Sequence, residues 1–319
     1  MATARLGEVA LIQRIRAAGG GRTAGVRVGI GDDCAVLRVP AGCEMVVTTD
    51  FSLEGRHFRR DWHSPESVGH RCLVRGLSDV AAMGAKPIAA FLSLGLPVGY
   101  QLKWVDGFMA GFRALAEAHG VELAGGDTAQ TMGAEIVADV VVTGAVKRGK
   151  ALLRAGARVG DRLYVTGRLG GAAVELAGLA SGAVKCPRRI GAGHPHAFPE
   201  PRVEVGLALV RRGIASACMD LSDGLSTDLG HLCRASGVGA EVDEVPLAAG
   251  ASLDQGVNGG EDYELLFAAR AGVKVPRKIA GAEVTCIGRV VKGAGVRLGG
   301  KEIQGGGWEH FREPKGLRL

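Results

Sequence analysis

The stretch PESVGHRCLVRGLSDVAAMGAKPIAAFLSLGL (65–96) decides the fold. Val68, Cys72, Leu77, Val80 and Ala81 recur at helical spacing behind a leading proline, and Gly84 closes the run, so 65–83 is expected to form a helix. The apolar run 88–96 that follows reads as a strand. Working outward, 26–30 and 44–49 are β-rich, 101–119 carries a second helical pattern, and 135–146 reads as a long strand. Together these make one α+β unit. A boundary is expected near 148–161, where RGKALLRAGARVGD is basic, glycine-bearing and followed by a fresh strand at 162–166. The cut is placed at about 150, giving units 1–149 and 150–319.

Beyond the cut, 169–179, 202–212 and 223–235 read as helices, the last with Leu225, Leu229 and Leu232 on one face. Strands are expected at 214–219 and 263–269, and the Pro/His/Gly-rich segment 186–201 is expected to be a loop. His194 and His196 fall in it and are read as loop residues without partners. Leu77-Ser78-Asp79 and Leu221-Ser222-Asp223 echo each other, too briefly to establish a duplication.

Composition narrows the classes. A chain of 319 residues suits two cores, and 52 glycines without a G-X-Y period are not collagen-like. No apolar run approaches the roughly eighteen residues a bilayer requires, and the N-terminal sixteen residues lack a continuous apolar segment, so a cytoplasmic protein is expected. Seven scattered cysteines with no C-x-x-C pair argue against a disulfide framework or zinc knuckle. The net charge of +6 comes with only 4% aromatic residues, which disfavours nucleic acid and favours small phosphate-bearing anions.

The acids carry the chemistry. They sit beside glycines or hydroxyls in Gly31-Asp32-Asp33, Thr48-Thr49-Asp50, Ser78-Asp79, Gly125-Gly126-Asp127-Thr128, Asp220-Leu221-Ser222-Asp223-Gly224 and Gly259-Gly260-Glu261-Asp262. Most are expected in turns after a strand or at a helix start. Oxygen ligands in such places suit a hard cation, and the lack of a His/Cys cluster argues against zinc, so magnesium fits best. Acids facing a polyphosphate repel it, by about 4 kcal/mol per pair at 4 Å and an effective dielectric of 20, so cations must intervene. Asp220 and Asp223 have a spacing that lets both face one metal, whereas Asp228 is read as solvated. Lys147, Arg148, Lys150 and Arg154 are read as a basic run, from which one side chain serving a phosphate is the minority reading.

In order, GIGDDCAV (29–36), TTDFSLEGRHF (48–58), LSDVAAMGAKP (77–87), GGDT (125–128), DLSDGLSTDLGHL (220–232) and GGEDYEL (259–265) resemble the thiamine-phosphate kinase family. That family lies within the aminoimidazole-ribonucleotide-synthetase-like superfamily. The resemblance spans nearly the whole chain and implies a two-domain α+β and α/β fold whose N-terminal domains pair their sheets in a homodimer. It implies transfer of the γ-phosphoryl of ATP to thiamine monophosphate. Magnesium would be held by Asp33, Thr48, Thr49, Asp50, Asp79, Asp127, Asp220 and Asp223. ATP would be met by Gly126, Asp127, Arg154 and Ser222, with Arg154 in the catalytic role, and the thiamine phosphate by His57, Glu261 and Trp308. Arg56 and Gly76 depart from the family's usual residues, and neither is a metal position. The competing readings are another ATP-using enzyme of the superfamily and a non-catalytic nucleotide- or metal-binding module.

Overall fold

The computed structural model describes residues 7–18, 23–30, 34–189, 191 and 193–308. Its first half runs α1 (Glu8–Ala18), β1 (Val26–Val28), β2 (Val36–Leu37), β3 (Cys43–Leu53), α2 (Pro65–Ala82), β4 (Lys86–Leu96), α3 (Leu102–Ala118), β5 (Glu122–Gln130) and β6 (Val137–Lys147). The second runs β7 (Arg162–Thr166), α4 (Gly171–Ala180), α5 (Val203–Arg212), β8 (Ala215–Asp220), α6 (Leu225–Ser236), β9 (Gly239–Val242), α7 (Leu253–Asn258), β10 (Leu265–Ala269), β11 (Lys278–Ile279), β12 (Ala282–Val291), β13 (Val296–Leu298) and β14 (Lys301–Ile303).

The decisive stretch is helix then strand, as its spacing dictates. Ser64 caps α2 by accepting the Ser67 amide at 3.2 Å, and Pro65 occupies the first turn, where its missing N–H costs nothing. Leu73, Val74 and Leu77 are fully buried. The helix ends at Gly84, which takes φ +64°. Strands β3, β6, β4 and β5 form a four-stranded sheet in that order, antiparallel except for the parallel β4–β5 pair. Helices α2 and α3 cross against it at backbone contact. A Cβ on Gly69 would lie 1.9 Å from the Phe108 carbonyl oxygen, and one on Gly111 would lie 1.8 Å from that of Glu66, so neither position admits a side chain.

The second sheet runs β14-β13-β9-β12-β7-β10-β8, with β11 paired to β12. Leu225, Leu229 and Leu232 of α6 are buried against it, as their spacing predicts. The two halves share one apolar cluster, in which α2 and α3 meet Val205 and Leu209 of α5 and Phe267 of β10. Helix α2 is also bound to the second half by a polar stripe. Ser67 Oγ donates to the Ala197 carbonyl at 2.8 Å, His70 Nε2 lies 2.7 Å from that of Pro199, and Ser78 Oγ donates to Asp220 at 2.7 Å. Burial holds the His70 imidazole down to about 4, hence neutral, so Nε2 donates there.

Two expectations need correction. The acids of 48–50 and 125–128 lie inside strands, not turns. Strand β5 escaped the sequence reading because Leu-Ala-Gly-Gly-Asp shows no alternation. Its glycine is instead required by the ladder, since a Cβ on Gly126 would meet the Leu92 carbonyl oxygen at 1.9 Å. Among the described residues no helix is long and apolar enough to cross a membrane.

Candidate active site

Strand register brings two acidic loops together. β8 and β10 pair with Leu265 opposite Asp220, and the pairing continues past the strand ends. Glu261 N donates to the Ser222 carbonyl at 2.8 Å, Tyr263 N to that of Leu221 at 2.9 Å, and Leu221 N to that of Glu264 at 2.8 Å. This lacing holds Glu261 at φ +66° and Tyr263 at φ +50°, left-handed conformations that cost a non-glycine residue about 1–2 kcal/mol each. Asp262 anchors the loop by accepting the Gly170 amide at 2.7 Å and the Ala172 amide at 3.2 Å, where α4 begins. Trp308 joins from the other side, its amide donating to the Asp223 carbonyl at 3.0 Å.

Asp228 is not solvated, contrary to its reading from spacing. It is buried at 1% exposure, and its Oδ2 accepts the amides of Asp223 and Gly224, each at 3.0 Å. Burial, then the charges of Asp220 and Asp223, push its carboxyl up to about 8. It shapes the turn that carries Asp223.

A cavity of about 450 Å³ opens between the halves, lined by Asp50 and Asp79 from the first and by Asp220, Ser222, Asp223 and Glu261 from the second, with His57 and Trp308 also on its wall. Thr48 Oγ1 donates to Asp79 at its edge. Burial, then repulsion from Asp79, lifts the Asp50 carboxyl to about 6, against the pull of Arg75. The same two causes lift Asp220 to about 7, while burial raises Asp79. Arg154 lies outside the lining, yet its charge acts on both Asp79 and Asp220 in the opposite direction. A larger cavity of about 860 Å³ beside α6 meets this cleft at Asp223 and Trp308, but the acids converge on the smaller one.

The eight residues expected around magnesium are not gathered in one place. Asp33 lies outside the described residues. Thr49 alternates with Thr48 and faces the other side of its sheet, where its Oγ1 donates to Asp139 at 2.8 Å. Asp127 falls on that same side, because it pairs with Ser93, and Ser93 with Asp139. Gly126 and Asp127 line a separate hollow with Ile12, Leu92 and Leu94. Among the described residues, no three His, Cys, Asp or Glu side chains stand together so as to hold one ion unaided. The cleft nevertheless fits a cation arriving with phosphate. Asp50 Oδ2 is buried without a hydrogen-bond partner, and Asp50, Asp79 and Asp220 all have their carboxyls raised there. Magnesium usually takes only one or two carboxylates, with phosphate and water completing its shell.

At the opposite end, Glu261 is gripped by two arginines of α2. Arg71 Nη2 donates to Oε2 at 2.6 Å and Arg75 Nη2 to Oε1 at 2.5 Å. Burial alone would lift the Glu261 carboxyl, but Arg71 and Arg75 outweigh it and hold it well below the usual range. His196 is no simple loop residue. It is buried, its Nε2 lies 2.9 Å from His63 Nε2, and its Nδ1 approaches Glu261 at 3.3 Å without hydrogen-bond alignment. Burial, then Arg71, keeps His196 far below its usual value and His63 at about 4, so both imidazoles are neutral and one Nε2 donates to the other. His194 Nδ1 pairs with Glu175 at 3.0 Å. The sequence signal for the Glu261 clamp was the i, i+4 pair Arg71 and Arg75 within α2.

This architecture is that of the AIR synthase related proteins. The N-terminal domain of that description matches residues 31–146 and the C-terminal domain matches 158–301. The thiamine-monophosphate kinase of Salmonella typhimurium is 36% identical over 311 residues, 91% of this chain and 93% of that protein. The crystal structure of thiamine-monophosphate kinase from Stenotrophomonas maltophilia is similar with a TM-score of 0.79 and 36% identity, covering 93% of this chain and 98% of the other. AaThiL complexed with AMPPCP and TMP matches with a TM-score of 0.73 and 32% identity, covering 98% and 100%. The chain belongs to the thiamine-monophosphate kinase family and is an enzyme.

Proposed function

We propose that the protein transfers the γ-phosphoryl group of ATP to thiamine monophosphate, yielding thiamine diphosphate and ADP, with magnesium between the acids and the phosphates. The observation that carries this reading is the convergence of Asp50 and Asp79 from one half with Asp220 and Asp223 from the other on a single cleft. Support also comes from a relative of 32% identity that holds AMPPCP, an ATP analogue, together with TMP.

Phosphoryl transfer asks a protein mainly to align donor and acceptor and to neutralise charge on the transferring oxygens. The acceptor phosphate is already a nucleophile near neutral pH, so no general base is needed. Bound magnesium would supply that neutralisation. Asp50, Asp79, Asp220 and Asp223 would hold it, with Thr48 orienting Asp79; Thr49 and Asp127, on the sheet's other face, would hold metal apart from this cleft, and Asp33 of the expected set lies outside the described residues. Gly126, Asp127 and Ser222 would meet ATP, Arg154 would stabilise charge on the transferring group, and His57, Glu261 and Trp308 would contact the thiamine phosphate. Transfer is direct and in line, without a phosphoenzyme.

In this reading residues 1–149 bind nucleotide and metal and form the dimer, while 150–319 complete the cleft, in a cytoplasmic homodimer. Dimerisation is supported by β3, an edge strand that exposes Met45, Val47 and Phe51 on one face at 50%, 58% and 59%. The test is product formation from ATP and thiamine monophosphate, followed by the stereochemistry at a chiral γ-phosphate. Thiamine diphosphate with inversion supports direct transfer; net retention overturns it, and absence of product overturns the function.

A further inference from the structure

Two arginines one helical turn apart hold the same carboxylate, but they face different surroundings. Arg71 is 4% exposed at its side chain, and its Nη1 lies 3.1 Å from His63 Nε2, so it is enclosed between the halves. Arg75 is 14% exposed and lines the cleft beside Asp50 and Asp79. Glu261 supplies one negative charge against two guanidinium groups, which leaves one positive charge at this end of the cavity. Asp50, which shares the cleft lining with Arg75 and interacts with its charge, could balance it, but under the function proposed above Asp50 is committed to a cation. The guanidinium is fixed through Nη2 by Glu261, so it is preorganised, and it belongs to a rigid helix rather than a loop.

Resting on that function, we propose that Arg75 binds the phosphate of the acceptor, making this end of the cleft selective for a substrate that already carries a phosphate. Glu261 then acts as the positioning residue for Arg75. The acceptor rather than ATP is favoured because Arg75 stands with His57 and Glu261, while Arg154 acts on Asp79 and Asp220.

Steady-state kinetics on Arg75→Gln, Arg75→Lys and Arg71→Lys test this, with melting temperature and near-UV circular dichroism as checks on folding. A charge-assisted hydrogen bond lost from a half-buried site should raise KM for thiamine monophosphate about tenfold or more in Arg75→Gln, with KM for ATP within about twofold. Arg75→Lys keeps the charge and should show a smaller rise. Arg71→Lys loosens the same clamp without facing the cleft, so it should raise KM for thiamine monophosphate several-fold less than Arg75→Lys does. Should Arg75→Gln fail to fold, Arg75→Lys against Arg71→Lys carries the same comparison. Equal effects at the two positions, an effect on ATP instead, or no effect at Arg75 would overturn the assignment. A wild-type protein that makes no thiamine diphosphate would overturn the underlying function, whereas an active wild type with an unaffected Arg75→Gln removes Arg75 alone.

Discussion

Asp50→Asn should make the metal-free protein more stable while abolishing its activity, and the two effects have one cause. Asp50 is held among acids in a largely buried position, with Oδ2 lacking a hydrogen-bond partner. Its carboxyl moves from an ordinary 3.8 to about 6. At about 1.4 kcal/mol per pKa unit, the ionised form costs the metal-free fold up to about 3 kcal/mol. The sign follows from linkage. Below pH 4 the carboxyl is protonated in folded and unfolded chains alike, so there is no penalty. As pH rises from about 4 to about 6 the unfolded chain ionises first, and native stability falls by this amount; above that window the full penalty persists. Asparagine removes the charge and also relieves Asp79 and Asp220, which point the same way. Melting in chelator should therefore rise on the order of 5 °C at pH 8 in the variant and coincide with wild type near pH 4. Added magnesium should stabilise wild type more than the variant, and turnover should drop by orders of magnitude. A variant that melts at or below wild type at pH 8 with its far-UV spectrum intact, or one that retains turnover, would refute this reasoning.

Asp228→Ala should lose most activity and destabilise by about 1–3 kcal/mol in urea titration, because the amides of Asp223 and Gly224 lose their acceptor; Asp228→Asn, which keeps an acceptor oxygen, should be much milder. Gly111→Ala drives a Cβ to within 1.8 Å of the Glu66 carbonyl oxygen and must part α2 from α3, so a loss of about 1–3 kcal/mol or more is expected by denaturant unfolding. Phe51→Asp on the exposed face of β3 should shift sedimentation toward a monomer, and an unchanged profile would place any dimer contact elsewhere.

The long, periodic elements were legible because their patterns are local. Val68 to Ala81 announced α2, Leu225, Leu229 and Leu232 announced the buried face of α6, and 162–166 coincides with β7. Strand β5 was not, since its identity depends on the ladder to β4 and not on its own side chains. The acids were legible as a set, but which side of a sheet each faces was hidden until register was known. Thr48 and Thr49 are neighbours in sequence and part to opposite faces. Asp228 and His196 were misread for a related reason: their burial is created by segments far away in the chain, Asp228 by the turn it supports and His196 by α2 and Glu261. The pairing of Arg71 with Glu261 spans 190 residues, so the arginine pair marks one side of the clamp locally while its acidic partner is set by the fold.

Spin-counting of bound Mn²⁺ by electron paramagnetic resonance, in the presence of a non-hydrolysable ATP analogue, asks most directly whether both halves hold the same ions. The wild type should bind the ion tightly only with nucleotide, and Asp50→Asn and Asp220→Asn, one change in each half, should each weaken that binding by at least about tenfold. Unaltered Mn²⁺ affinity in both variants would contradict the account.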